Sequence, residues 1–315
     1  MNRYNEIIMN TTTTRRTFIS TAASASALLY SNAAIAEAGP QKSIRADTHL
    51  HCFAGSANDR FPYHERAPYR PDKAASPQHL LRCMDQAGVD FAIVVHPEPY
   101  QDDNRYLEHC IEVGKGRLKG TALLFSDRAG SLEQLPNLVK KTDLVAVRVH
   151  AYAPDRLPPF GKPELRRLWK LATDHNLAVQ LHFEPRYAAG FEPLIREFRD
   201  TVVIIDHLGR PFQGTPEEHN VVVKWSRFPN TVMKFSAIPD QLKYPHRDIQ
   251  PVIRQLTNAY GADRMIYGGG FNADASGESY RAAFESSRAL IDHLSAADQN
   301  KILGQTAARL FKFKS

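Results

Sequence analysis

Two imidazoles one residue apart, His49 and His51, follow the run Ile44–Thr48. Strand side chains alternate with period two, so Asp47, His49 and His51 are expected on one face. Paired imidazoles at a strand end can bind a divalent ion or act as an acid/base pair. The chain holds thirteen histidines, so this pair gains weight only from its surroundings. Those surroundings are further apolar runs that end in polar groups. Arg148 and His150 share a face of one run, and Gln180, His182 and Glu184 share a face of the next. Asp206-His207-Leu208-Gly209-Arg210 closes a third, and Lys234-Phe235-Ser236 a fourth. A single strand-end histidine is usually a hydrogen-bonded core residue. Several together point to one shared site, because buried polar groups must all find partners.

The elements that carry these groups alternate along the chain. Strands are expected at Ile44–His49, Phe91–Val95, Leu118–Phe125, Leu144–His150, Ala178–His182, Val202–Asp206, Val232–Ser236 and Met265–Tyr267. Their Val-, Ile- and Leu-rich runs suit parallel strands covered on both faces. Helical spacing fills the intervals. Ser76-Pro77 reads as an N-cap followed by Pro at the first helical position. Ser131 and Gln134 fit a capping box, and Leu165, Leu168, Trp169 and Ala172 form an apolar stripe. Eight strand–helix units predict an α/β fold of the (β/α)8 TIM-barrel type, with an open doubly wound sheet as the alternative. A barrel builds its site at the C-terminal strand ends, where the polar groups cluster. The Pro- and aromatic-rich stretch from Phe61 to Pro71 is then a loop on the catalytic face, long enough to act as a lid.

The 315 residues, 43% hydrophobic and 23% charged, suit one large core. The net charge of +6 is partly owed to Arg3, Arg15 and Arg16 near the start. No basic run interleaved with aromatics occurs, which argues against a nucleic-acid partner. Thr14-Arg15-Arg16-Thr17-Phe18-Ile19 resembles a twin-arginine export signal, and Ala34-Ile35-Ala36 a cleavage site. Residues 1–36 are therefore expected to be a leader and 37–315 a single barrel domain. The mature protein is expected in the periplasm or otherwise exported, without a membrane partner, and a homo-oligomer remains open. Cys52, Cys83 and Cys110 form no C-x-x-C pair, and Cys52 should be a small buried residue facing away from His51.

The run Asp47–His51 (DTHLH), Val147–His150 (VRVH), Leu181–Phe183 (LHF), Asp206–Pro211 (DHLGRP), Val232–Ala237 (VMKFSA) and Ile302–Phe311 (ILGQTAARLF) together resemble the amidohydrolase superfamily. Phe61–Tyr63 and Pro99–Leu107 are similar to its lactonase branch, which acts on dicarboxylate pyrones and sugar lactones. The resemblance spans residues 43–313. It implies that His49, His51, His182 and His207 either bind one or two divalent metals or polarise a substrate carbonyl without one. One ion, Zn or Mn, on His49, His51 and His182 is the cofactor it would imply. Arg148 and Arg210 would grip a substrate carboxylate, since a guanidinium fork matches that group. His150 and Ser236 complete the expected substrate-binding set.

One position departs from the resemblance. Where the family places an Asp after strand eight, this chain reads Gly268-Gly269-Gly270-Phe271-Asn272, with Gly270 at the Asp position. A hydrolase needs some group to take a proton from water. Glu184, His207, His150 and Asp274 are candidate replacements, and alternation should turn Asp206 away from His207. Three readings follow: a hydrolase opening a lactone or cyclic ester of a carboxylated small molecule, a decarboxylase-type carbon–carbon lyase, or a non-catalytic ligand-binding member. The triplet itself is either a flexible turn or a means of admitting an anionic substrate more deeply.

Overall fold

The computed structural model describes residues 43–313, apart from 153, 240, 241 and 243. The expected leader lies outside the described residues. Eight parallel strands follow one another around the sheet: β1 (Ala46–Leu50), β2 (Phe91–Val95), β3 (Leu118–Leu123), β4 (Leu144–Ala151), β5 (Ala178–Phe183), β6 (Val203–Ile205), β7 (Thr231–Ser236) and β8 (Met265–Gly268). A helix follows each strand in turn: α1 (Pro77–Ala87), α2 (Arg105–Gly114), α3 (Leu135–Lys141), α4 (Pro163–Asp174), α5 (Glu192–Glu197), α6 (Pro216–Lys224), α7 (Gln250–Tyr260) and α8 (Gly277–Ala289). Two short helices, α9 (Ala296–Asn300) and α10 (Thr306–Phe311), end the chain. The strands form a nearly closed (β/α)8 barrel, which removes the open-sheet alternative.

Alternation explains the two cores. One set of strand side chains, with Val147, Leu181, Met233 and Phe235 among them, packs under the helices. On α4, Leu165, Leu168, Trp169 and Ala172 are the buried stripe. The opposite set, with Ile93, Ile204, Val232 and Ile266, meets Ala307 and Phe311 of α10. That helix lies at the start of β1, where Gly304 fits against the Ile44 carbonyl, so it plugs the barrel's lower end.

Ser76 caps α1 as expected, accepting from the His79 N–H. The Ser131–Gln134 capping box does not form. Ser131 Oγ instead accepts from the Phe125 N–H at 2.9 Å, which ties down the loop after β3. The cysteines are buried and free. Among the described residues no helix is long and apolar enough to cross a membrane.

The seam between β8 and β1 is closed by side chains. Thr48 Oγ1 donates to the Tyr267 carbonyl at 2.6 Å. Asp47 accepts the Gly269 N–H at 2.8 Å and the Tyr280 hydroxyl of α8 at 2.7 Å. Asp47 therefore faces α8, not the histidines. The expected common face fails because the register of β1 against β2 shifts between Asp47 and Leu50, breaking the period of two.

Candidate functional site

At the upper strand ends five imidazoles stand in a row. Ring centroids lie 5.2 Å apart for His51–His49, 4.4 Å for His49–His207, 5.2 Å for His207–His182 and 5.1 Å for His182–His150. The segments expected to converge do converge.

Below this row lies a buried charge cluster. Asp206 accepts from Arg148 Nη2 at 2.9 Å and from Gln180 Nε2 at 3.0 Å, and its other oxygen lies 3.3 Å from Lys234 Nζ. Lys234 also donates to the Thr48 carbonyl at 3.0 Å and stands 3.3 Å from His49 Nδ1. Burial alone would raise the Asp206 carboxyl, but Lys234 and Arg148 outweigh it and hold it well below the carboxylate range. Burial lowers Lys234 to about 8 against the pull of Asp206. Alternation made Asp206 a poor candidate, yet it is the centre of the cluster. The reason is backbone. His207, Leu208, Gly209 and Arg210 all have positive φ, between 55° and 69°, so this left-handed run turns His207 and Arg210 inward beside Asp206.

A pocket of about 400 Å³ opens above, lined by His51, His182, His207, Arg148, Arg210 and Tyr152, with Tyr69 and Pro68 of the Pro-rich loop at its edge. His51 Nδ1 lies 2.7 Å from the Val95 carbonyl, which can only accept. Its proton therefore sits on Nδ1 and Nε2 keeps a lone pair. His207 Nδ1 bonds Ser236 Oγ at 2.9 Å, so Ser236 orients a histidine and lines no part of the pocket. Neither nitrogen of His182 has a partner among the described residues, although both atoms are shielded from solvent. Burial lowers His51 to about 4 and His207 to about 3, and pushes His49 and His182 well below the imidazole range. The site is thus built of neutral imidazoles at pH 7.

Besides Ser236, four expected residues lie off this pocket. Glu184 follows the last residue of β5, where the chain turns, and pairs with Arg186 instead of joining His182. Asp274 pairs with Lys73 at 2.6 Å on the surface. His49 is packed beneath the pocket instead of lining it. His150 Nδ1 stands 3.1 Å from Glu98 Oε1. Glu98 also accepts from Tyr152 and, at 3.0 Å, from Arg156, and these partners overcome burial to hold it at about 2. Sequence reading missed Glu98, whose signal was a carboxylate set between Pro97 and Pro99.

An amidohydrolase family profile matches residues 46–313. The chain belongs to the amidohydrolase family. It is 30% identical over 165 residues to a 4-sulfomuconolactone hydrolase of Rhizobium radiobacter, covering 52% of either chain, so it spans about half the length of that relative. It is 25% identical over 241 residues to an L-fucono-1,5-lactonase of Burkholderia ambifaria, covering 71% of this chain and 79% of that one. Among solved structures, a probable 2-pyrone-4,6-dicarboxylic acid hydrolase of Acinetobacter baumannii with citric acid bound superposes with a TM-score of 0.70 at 22% identity, over 85% of this chain and 99% of that one. An amidohydrolase of Burkholderia multivorans with bound zinc does so with a TM-score of 0.65 at 16% identity, over 86% of this chain and all of the other.

In this amidohydrolase the ligand atoms that approach one another within 4.8 Å belong to His49, Asp206 and His207, not to the expected His49, His51 and His182. The trio has suitable ligand types, but its charge does not fit a resident dication. Its one carboxylate already accepts Arg148 and Gln180 and faces Lys234, whose ammonium lies 3.3 Å from both His49 Nδ1 and Asp206 Oδ1. A divalent ion there would meet two buried cations at close range.

Gly270 is equally particular. Its φ is +108°, and a Cβ would lie 2.8 Å from Ala283 Cβ and 2.9 Å from Tyr280 Cδ2. The space it frees faces α8, not the pocket, which removes the idea that it admits a deeper anion. Restoring the family residue with Gly270→Asp is expected to cost about 1–3 kcal/mol of stability through strain and overpacking, without raising turnover. Thermal denaturation beside an activity assay checks this, and a faster, equally stable variant would contradict it.

Proposed function

We propose that this amidohydrolase opens a lactone or cyclic ester of a carboxylated small molecule, without a metal. The observation that carries the proposal is Arg210. Its guanidinium reaches the pocket and makes no ion pair among the described residues, while Arg148 and Arg156 are committed to Asp206 and Glu98. An uncommitted guanidinium beside neutral imidazoles suits an anion with a carbonyl nearby. The lactone-hydrolysing relatives and the citric acid in the Acinetobacter baumannii structure support the same reading.

In this mechanism Arg210 holds the substrate carboxylate. His182, free to adopt either tautomer, donates to the ring carbonyl as it becomes an oxyanion. His51 Nε2, kept unprotonated by the Nδ1–Val95 bond, accepts the proton of the attacking water and returns it to the ring oxygen as the acyl C–O bond breaks, leaving a hydroxy acid. Glu98 and Arg156 hold Tyr152 and the pocket wall in place.

The test is hydrolysis of a panel of carboxylated lactones. His182→Ala is expected to lower kcat/KM at least about 100-fold, and Arg210→Ala to act mainly by raising KM. Exhaustive chelation should leave both rate and stability unchanged. Hydrolysis that His182→Ala leaves intact would refute the assigned roles, and chelator-sensitive turnover would refute the metal-free site. The absence of a strand-eight carboxylate also favours a second reading, since decarboxylation needs no activated water. Release of carbon dioxide from unsaturated or aromatic acids, without lactone opening, would put a carbon–carbon lyase in its place.

We also propose, on Arg15-Arg16 and Ala34-Ile35-Ala36, that the chain is exported and processed. A mature N-terminus at Glu37 is the expected result, and an intact leader on periplasmic protein would contradict it.

A further inference from the structure

A second cavity, about 500 Å³, lies beside the strand-end pocket. The two share Pro68, Glu98 and Arg156 as a common wall. The far side is built from the ends of β3 and β4, the loops after them and α4. Leu123, Leu124, Val149, Leu157 and Leu168 form the apolar part of its lining, beside the polar Gln101, Ser126 and His150. Its charges are largely matched already. Arg128 pairs with Asp102 at 2.7 Å, donates to Gln101 at 3.1 Å and lies 3.9 Å over the Phe125 ring. Glu98 is held by His150, Tyr152 and Arg156. Asp127, exposed at the rim, pairs with no described cation and would repel an anion. Arg66 at the mouth is largely exposed and lies 3.9 Å from Glu65, so it stays in water. Among the other described lining residues a charged group would find no free counter-charge, whereas an apolar group would bury surface and strand none.

We propose that this cavity is a subsite for an apolar alkyl or aryl arm of the substrate, whose carboxylate Arg210 holds in the adjoining pocket. The inference rests on the anion-binding reading of that pocket and adds the substrate class: a lactone with a carboxylate at one end and a hydrophobic chain at the other. A compact dicarboxylate would fill only the first pocket and leave apolar walls against water. The shared wall carries no unmatched charge toward the arm. Ser131 ties down the loop after β3, which supplies Phe125–Arg128 to the lining, through the Phe125 N–H.

The probes are succinate and 2-octylsuccinate, titrated calorimetrically into the full chain. The octyl compound is expected to bind at least tenfold tighter. Ser126→Trp and Leu157→Trp each place an indole in the cavity, away from Arg210. Either should erase most of that advantage and leave succinate unchanged. Arg210→Ala should weaken both probes by a similar factor. Octylsuccinate should also protect the amides of Leu124 and Val149 from hydrogen exchange beyond what succinate does, a measurement that needs no variant.

An octyl arm that adds nothing, or that keeps its advantage in a folded Trp variant, overturns the subsite and leaves the anion grip intact. Binding of both probes that Arg210→Ala leaves unchanged overturns the anion grip, while the octyl advantage still reports on the cavity. Failure of both probes to bind overturns the two together.

Discussion

Asp206→Asn should cost about 3–5 kcal/mol of stability, the usual loss when one partner of a buried ion cluster is removed. Lys234 and Arg148 would remain charged beside it, 1% and 4% exposed, with no other carboxylate paired to them among the described residues. The amide can still accept from Gln180 or Arg148 but cannot balance two cations. Urea unfolding with an unchanged m-value measures the loss. The double variant Asp206→Asn/Lys234→Met should recover part of it, since the stranded ammonium is then gone. A single-variant loss under about 1 kcal/mol, or no recovery in the double variant, would show that the cluster is not the keystone of the upper barrel. Activity should fall with stability, because Asp206 shares contacts with His49 and lies beneath His207.

Acidification is the second large effect. Burial holds His51 and His96 at about 4 and His207 at about 3, against 6.5 for the free imidazole. In each case the folded pKa is depressed. The unfolded chain therefore takes up protons that the folded chain resists as pH falls below 6.5. Stability is fully present above 6.5 and is lost down to the folded values near 3–4. Each such histidine is worth roughly 3–5 kcal/mol over that window, since one unit is about 1.4 kcal/mol. Asp47 works the other way. Its carboxyl is raised by burial to about 6 from 3.8, so protonating it in the fold returns some stability between those values. One carboxyl offsets about one imidazole, and the histidines outnumber it. The melting temperature should fall steeply from pH 6.5 to 4, enough to unfold a domain of ordinary stability. His96→Leu, which lies off the pocket, should flatten the fall without touching the catalytic row. A melting temperature constant over that range would refute the burial of neutral imidazoles.

The barrel itself was legible because its strands are buried on both faces and carry unbroken Val, Ile and Leu runs. The strand-end histidines were legible for the same reason: each run tells where its end lies. What escaped was local backbone. A register shift in β1 turned Asp47 toward α8, and the left-handed run at residues 207–210 put Asp206 and His207 in one cluster. Glu184 sits one residue past the end of β5, where alternation no longer applies. Glu98 pairs with side chains more than fifty positions away, a contact that no spacing rule reaches.

The stitching of β8 to β1 has a mechanical consequence. A ladder spreads load over many equivalent bonds, but here Asp47 gathers the His49, Gly269 and Tyr280 donors on one carboxylate. The barrel thus has a latch, and the latch is an acid whose charge changes close to pH 6. Rupture under force or heat should begin along this line and free the last strand–helix unit as a flap while the rest of the cylinder holds.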